Sequence, residues 1–236
     1  MVAVFRYICY MLSKSILLIL VFITFYSFSQ VDSTYVDDNY LEDQLYIGLT
    51  YNVLNNKPTG FNQNGLSGGL SFGFIKDLPI NEKRNKAIGI GLGYSYNAYI
   101  QNLKITDTSS SIFFEIIESQ NFNSNRLSTH AIEVPIEFRW RTSTPSDYSF
   151  LRIYTGIKLG YLFASNARFS DTSGTIILKG IDKLNTFQYG LTLSAGYGTL
   201  NLNLYYGLNT FFENAQVNNE PIDLKQLNIG LIFYIM

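Results

Sequence analysis

The sequence predicts an all-β fold, an eight-stranded antiparallel up-and-down transmembrane β-barrel of the outer-membrane type. Three observations carry this. Segments of about ten residues alternate apolar and polar side chains with a period of two, as a strand does when its faces meet different surroundings. The chain is only 15% charged, well under the usual quarter or so, and a soluble barrel could not dress its outside with so few charges. Aromatic residues make up 16%, with 18 Tyr and 18 Phe, which suits girdles at two membrane interfaces.

Residues 1–29 read as a signal peptide, outside the fold. Lys14 precedes an apolar run over 16–25, and Ser27 and Ser29 lie three and one positions before a cut ahead of Gln30. A start at Met11 would give a leader of more ordinary length. The run falls short of the ~20 residues of a spanning helix, so export is expected; a signal anchor that also enlists 5–12 is the minor alternative. Cys9, the only cysteine, precedes the run, whereas a lipidated cysteine would follow it. The mature chain is therefore expected to hold no thiol, disulfide or Cys-based metal site. Residues 30–44 are acidic and lack apolar periodicity, as a periplasmic lead-in would; the barrel is expected over 45–236.

The first strand, 45–53, sets Leu45, Ile47, Leu49, Tyr51 and Val53 against Tyr46, Gly48, Thr50 and Asn52. Asn55, Asn56, Pro58 and Gly60 then form a loop. The second, 65–75, points Leu66, Leu70, Phe72 and Phe74 outward, and the charged connection 76–86, with Pro79, reads as an aqueous turn. The third, 87–99, alternates Ile88, Ile90, Leu92, Tyr94 and Tyr96 with inward Gly89, Gly91 and Gly93. A long polar segment follows over 101–125, whose apolar middle, 112–117, suits a strand projecting from the membrane.

The central pair is the clearest stretch. Ile132, Val134, Ile136, Phe138 and Trp140 alternate with Glu133, Pro135, Glu137, Arg139 and Arg141. After a turn over 142–149 containing Pro145 and Asp147, alternation resumes over 151–163, with Arg152 and Lys158 on the polar face. A loop over 165–183 leads to a sixth strand (185–197), a tight Gly198–Thr199 turn, a seventh (200–212) and an eighth (225–235). The count is even, and longer connections alternate with shorter ones. Connections after strands one, three, five and seven are expected outside the cell, with the others and both termini in the periplasm.

An eight-stranded barrel is just wide enough for its own side chains to fill it. Glu133, Glu137, Arg139, Arg141, Arg152 and Lys158 are therefore expected to form a structural charge network in the lumen, a salt-bridged plug facing a glycine-rich opposite wall. They also fix the register, because a one-residue slip would turn them to lipid, at roughly 2–4 kcal/mol for a basic side chain near the midplane. Pro135 cannot donate to a ladder, so a bulge or bend is expected near it.

Little in the chain points to chemistry. His130, the only histidine, excludes a multi-histidine metal cluster and leaves one candidate base; without an elbow or triad signature it reads as a rim residue. Glu133 and Glu137 read as charge-compensated fillers in preference to an acid–base pair. The run Gly89–Gly93 lacks the spacing and the following helix of a nucleotide loop. A net charge of −1 offers no field for nucleic acid. Lys83, Arg84 and Lys86 read as a solvated turn, with contact to a periplasmic partner as the functional alternative. No enzyme activity, cofactor or metal is expected, and outer-membrane lipid is the first partner.

Three stretches carry a family resemblance: SFGFIKDLPINEKRNKAIGIGLGYSYN (71–97), THAIEVPIEFRWRTSTP (129–145) and RIYTGIKLGYLF (152–163). They resemble the PorT family of small outer-membrane barrels. The resemblance implies an outer-membrane component required by the type IX protein secretion system, which exports adhesins, proteases and gliding-motility proteins, with other envelope proteins of that system as partners. Because an eight-stranded lumen cannot pass a folded protein, the expected role is a non-enzymatic accessory or assembly one. It maps no catalytic residue onto this chain. The alternative is a surface barrel that binds an extracellular ligand or stabilises the envelope without a secretion role.

Overall fold

The structure, a computed structural model, describes residues 43–63, 65–108, 111–118, 122–142 and 150–235. The expected leader (1–29), nearly all of the expected lead-in (30–44) and, of the expected turn over 142–149, residues 143–149 lie outside the described residues. The alternating segments form β1 (Gln44–Asn55), β2 (Gly68–Pro79), β3 (Lys86–Ile100), β6 (Ser124–Arg141), β7 (Leu151–Asp171), β9 (Phe187–Tyr197), β10 (Leu200–Gly207) and β13 (Lys225–Ile235). Each pairs antiparallel with its ring neighbours, β1 with β13 and β6 with β7 among them, so the sheet closes as an eight-stranded barrel. Closure leaves no free barrel edge.

The two faces divide as the alternation requires. Leu45, Ile47, Ile132, Phe138, Leu193 and Leu231 are exposed on the outer surface, while Arg139 and Arg141 are fully buried. The apolar rows therefore face lipid, and the ionic rows are enclosed.

Several strands run further than their apolar alternation. β2 continues to Pro79, so Asp77 belongs to the lumen and not to an aqueous turn. β7 extends eight residues beyond the expected end at Phe163, to Asp171, pairing with the start of β6 and with β8 (Gly174–Lys179). The barrel register shifts between His130 and Ala131, so the bulge lies there and not at Pro135. At Pro135 the pairing with β7 runs on without a shift, and only the pairing with β3 lapses, between Ile90 and Gly93. A residue without an N–H interrupts one ladder and does not need an inserted residue to do it. β10 stops at Gly207, short of the expected 212, because Phe211 and Phe212 turn into a separate core.

That core lies at the end of the barrel opposite the start of β1 and the end of β13. There the long connections carry β4 (Leu103–Thr108), which pairs with β5 (Ser111–Ile116), and β11 (Gln216–Val217), which pairs with β12 (Glu220–Pro221). Their apolar residues, including Phe114, Val217 and Ile222, pack with Phe211 and Phe212 onto Leu54, Tyr99 and Leu127 at the strand tops. Phe212 meets Phe114 and Phe211 edge to face, with ring centroids 5.2 and 5.4 Å away. Polar stitches fix the loops to one another. Asn102 Nδ2 donates to the Gly60 carbonyl at 2.9 Å and to the Ile117 carbonyl at 3.1 Å, and Asn185 Nδ2 donates to the Thr210 carbonyl at 2.7 Å. The loops thus form a folded cap over that mouth of the barrel.

The glycines do not form a wall opposite the charges. Gly93 and Gly160 flank Glu133 in the sheet, and Gly89 and Gly156 flank Glu137. The reason is volume. A Cβ on Gly89 would lie 2.6 Å from Arg139 Nε, and one on Gly93 would strike the Tyr46 hydroxyl. Large side chains reach across their own neighbours, which must be bare.

Candidate functional site

Two closures of the lumen are the chemically distinctive parts of the molecule. The first is ionic and lies at the end where β1 begins and β13 ends. β6 turns Arg139 and Arg141 inward on alternate positions, and β2 brings Asp77 to them. Arg141 holds Asp77 with two parallel bonds of 2.8 Å, Nη1 to Oδ1 and Nη2 to Oδ2, and Arg139 Nη1 reaches the same Oδ1 at 3.1 Å. All three side chains are fully buried. Such a bidentate fork is the strongest arrangement an arginine and a carboxylate make. Arg139 also donates from Nε to Glu137 at 3.1 Å and from Nη2 to Gln44 Oε1 at 3.0 Å, so each of its three guanidinium nitrogens is engaged.

Arg152, on the adjoining strand β7 directly opposite Arg141, adds a third cation to this layer. Its Nη1 donates to the Gly198 carbonyl at 2.6 Å, and its guanidinium lies over the Phe150 ring at 4.4 Å and the Tyr234 ring at 6.0 Å. Arg139 likewise sits 4.6 Å from the Tyr154 ring centre. Aromatic faces and a carbonyl thus contribute to holding these buried guanidinium groups.

Glu133 and Lys158 do not join this layer. They pair with each other at 3.0 Å higher in the lumen, with Lys158 Nζ 4.5 Å from the Tyr205 ring centre. The six charged residues named from the sequence thus divide into a lower layer (Glu137, Arg139, Arg141, Arg152) and an upper pair. Asp77, Gln44 and the tyrosines Tyr154 and Tyr234 were not among them. Around the upper pair two voids of about 20 Å³ each remain, lined by Ser95, Asn97, Tyr205 and Asn228. Each has room for a single water molecule and none for a larger ligand.

Lys83, Arg84 and Lys86 lie in or beside the β2–β3 turn. Lys83 and Lys86 are exposed, and Arg84, at a positive φ of 54°, offers its carbonyl to Arg141 Nε at 3.1 Å. The turn is thus tied to the ionic layer through backbone, while its lysines project into solvent.

His130 stands on the outer face at the top of the lipid-facing band. Its Nδ1 and the Tyr94 hydroxyl share a hydrogen bond of 2.6 Å, and the Tyr96 and Phe163 rings lie 5.1 and 6.1 Å away. It belongs to an aromatic girdle, with no Ser–His–acid constellation around it among the described residues. A rim notch of about 150 Å³, lined by Phe163, Ser165, Ile181, Asp182 and Leu184 among others, lies where β8 and β9 part from β7. There Ser165 Oγ accepts a hydrogen bond from the Ile181 amide at 2.8 Å.

The second closure is the apolar cap, which buries the inward ends of β1, β3 and β6 under loop aromatics. The described residues therefore shut the lumen with charge at one end and with hydrophobic packing at the other.

The family model described as the outer membrane protein beta-barrel domain matches residues 28–213, and the chain belongs to that family. The protein is thus an outer-membrane barrel. Similar solved structures include that of Ail, the attachment invasion locus protein of Yersinia pestis, with a TM-score of 0.34 and 10% identity over 82% of this chain and 97% of that one. The complex of Ail with the heparin analogue sucrose octasulfate gives 0.31 and 13% over 83% and 99%. No curated protein matches the sequence.

Proposed function

We propose that this outer-membrane barrel is a non-enzymatic, non-conducting accessory component of the type IX secretion system, acting as an assembly scaffold through its surfaces. The observation that carries the scaffold reading is the doubly closed lumen. With Arg139, Arg141 and Asp77 filling one end and the cap core the other, the barrel has no conduit to offer a cargo. Function then belongs to what the barrel displays. The secretion role is supported by the resemblance of 71–97, 129–145 and 152–163 to the PorT family.

In this reading a signal peptide over 1–29 exports the chain, residues 30–44 lead in from the periplasm, and Lys83 and Lys86 meet other envelope proteins of the machine. The charge network of Glu133, Glu137, Arg139, Arg141, Arg152 and Lys158 is structural. The test is deletion of the gene followed by a measure of type IX cargo in the medium. Secretion should fall; unchanged secretion rejects the role.

A second reading is favoured by the cap. A folded extracellular platform with Phe113, Ile176 and Ile177 exposed is more than a set of closing loops, and it suits a surface barrel that binds an extracellular ligand. Shortening the outer loops to tight turns separates the two. Secretion that survives while surface binding is lost supports the second reading, and the converse follows from neutralising Lys83 and Lys86.

A further inference from the structure

Where β6, β7 and β8 rise above the lipid-facing band, they carry three cations on the face that continues the lipid-facing rows. Arg126 of β6 and Arg168 of β7 lie directly opposite one another in the ladder, and Arg168 lies opposite Ile177 of β8. One step nearer the membrane, Asn166 pairs with Lys179. All three cationic side chains are exposed, and among the described residues none has an acidic partner.

Like charges directly opposite on one sheet face repel and destabilise the pair. Nothing in the cap's own packing accounts for them, because the neighbours Leu127, Ala167 and Phe169 face the other way and are buried. Carboxylates flank β8 in sequence on both sides. Asp171 is engaged at the β7–β8 turn, accepting from the Ser173 and Gly174 amides at 2.7 and 3.0 Å, and Asp182 lines the notch beside β9.

The height of this patch identifies what it meets. His130, with Tyr94, Tyr96 and Phe163, marks the outer aromatic girdle. Arg126 is four residues further along β6. At about 3.3 Å per residue and a strand tilt of about 40°, that places it about 10 Å above the girdle. The polar layer of a bilayer is roughly 5–8 Å deep on each side, and arginine and lysine stems reach several ångströms back toward it. Ser124, Ser128, Ser170 and Thr175 occupy the same rows, so the cations lie among hydroxyl groups and not among acids.

We propose that Arg126, Arg168 and Lys179 form a binding site for the phosphate groups of an outer-leaflet glycolipid. A phosphate between the arginines accepts from both guanidinium groups and cancels their repulsion. Lys179, nearer the girdle, takes a second anionic group on the same headgroup. The site explains why uncompensated arginines stand opposite one another at headgroup level, and it does not depend on a secretion role.

The test uses the whole barrel folded in detergent and native mass spectrometry with two probes, bisphosphorylated lipid A and its dephosphorylated form. The wild type should retain the phosphorylated lipid about tenfold better, as charge-assisted hydrogen bonds imply, and Arg126→Gln/Arg168→Gln should lose that preference. Excess inorganic phosphate should not displace the lipid. Heat-modifiable migration on a gel confirms that the variant is folded. A second readout carries a distinguishing sign: without lipid A the double variant should melt no lower than the wild type, because a repulsion has been removed, whereas with lipid A the wild type should melt higher. Equal retention of the two lipids, an unchanged preference in the folded double variant, or displacement of the lipid by a soluble sulfated glycan would overturn the proposal.

Discussion

Asp77 binds two buried arginines at once, and at residue scale it is the hinge of the ionic closure. Removing one partner of a buried pair leaves uncompensated charge in a medium that cannot solvate it, at about 3–5 kcal/mol. Asp77→Ala is therefore expected to lower the stability of the barrel by that amount in urea unfolding from lipid vesicles. Glu133→Gln should cost only about 1 kcal/mol, because Lys158 keeps its contact with the Tyr205 ring and a side chain 19% exposed. Equal losses from the two variants would show that the lower layer is not an ionic clasp. Asp77 was hard to read from sequence, since it stands in a charged stretch close to Pro79 that has the composition of a turn. A signal was present nonetheless. Extending the inward row Ser71, Gly73, Ile75 by one more step reaches Asp77, and the outward row reaches Leu78, which is indeed exposed.

Elements were legible where lipid imposes a rule and illegible where it does not. Inside the membrane every second side chain must be apolar, so the alternation of β1, β3 and β13 shows in the sequence to within a few residues. Above the membrane that demand ends. The extension of β7 past Phe163, the pairing of β8 along it and the small β11–β12 hairpin obey only local packing, and the shift at His130/Ala131 breaks the count just where the rule stops. The lumen pairs escaped for a related reason, since periodicity gives a side chain's face but not its partner across the barrel. The cap is built from such elements, which implies separability. Replacing β4 and β5 with a short turn removes Leu103, Ile105 and Phe114 from the cap core. The barrel should keep its heat-modifiable gel shift, because its ring of pairings is untouched, while the loops around 180–186 and 208–224 become open to added protease. Loss of the gel shift would mean that cap and barrel fold as one unit.

For the whole molecule, the two closures differ in kind, and the difference can be measured. The cap closes by burying apolar area, which depends on loops that can be cut away; the lower layer closes by charges anchored on β2, β6 and β7, which are part of the barrel wall. A barrel of this width has no spare lumen once those side chains are in place. In planar bilayers the intact protein is therefore expected to show no ion steps. A cap-truncated variant should also stay silent, since Arg139, Arg141 and Asp77 still fill the other end. Conductance should appear only when truncation is combined with Arg139→Ser and Arg141→Ser, which removes both the guanidinium groups and their volume, and it should remain small because Tyr46, Tyr154 and Tyr234 still occupy the lumen. Steps from the truncated barrel alone would show that the ionic layer leaks, and the scaffold reading would then lose its physical basis.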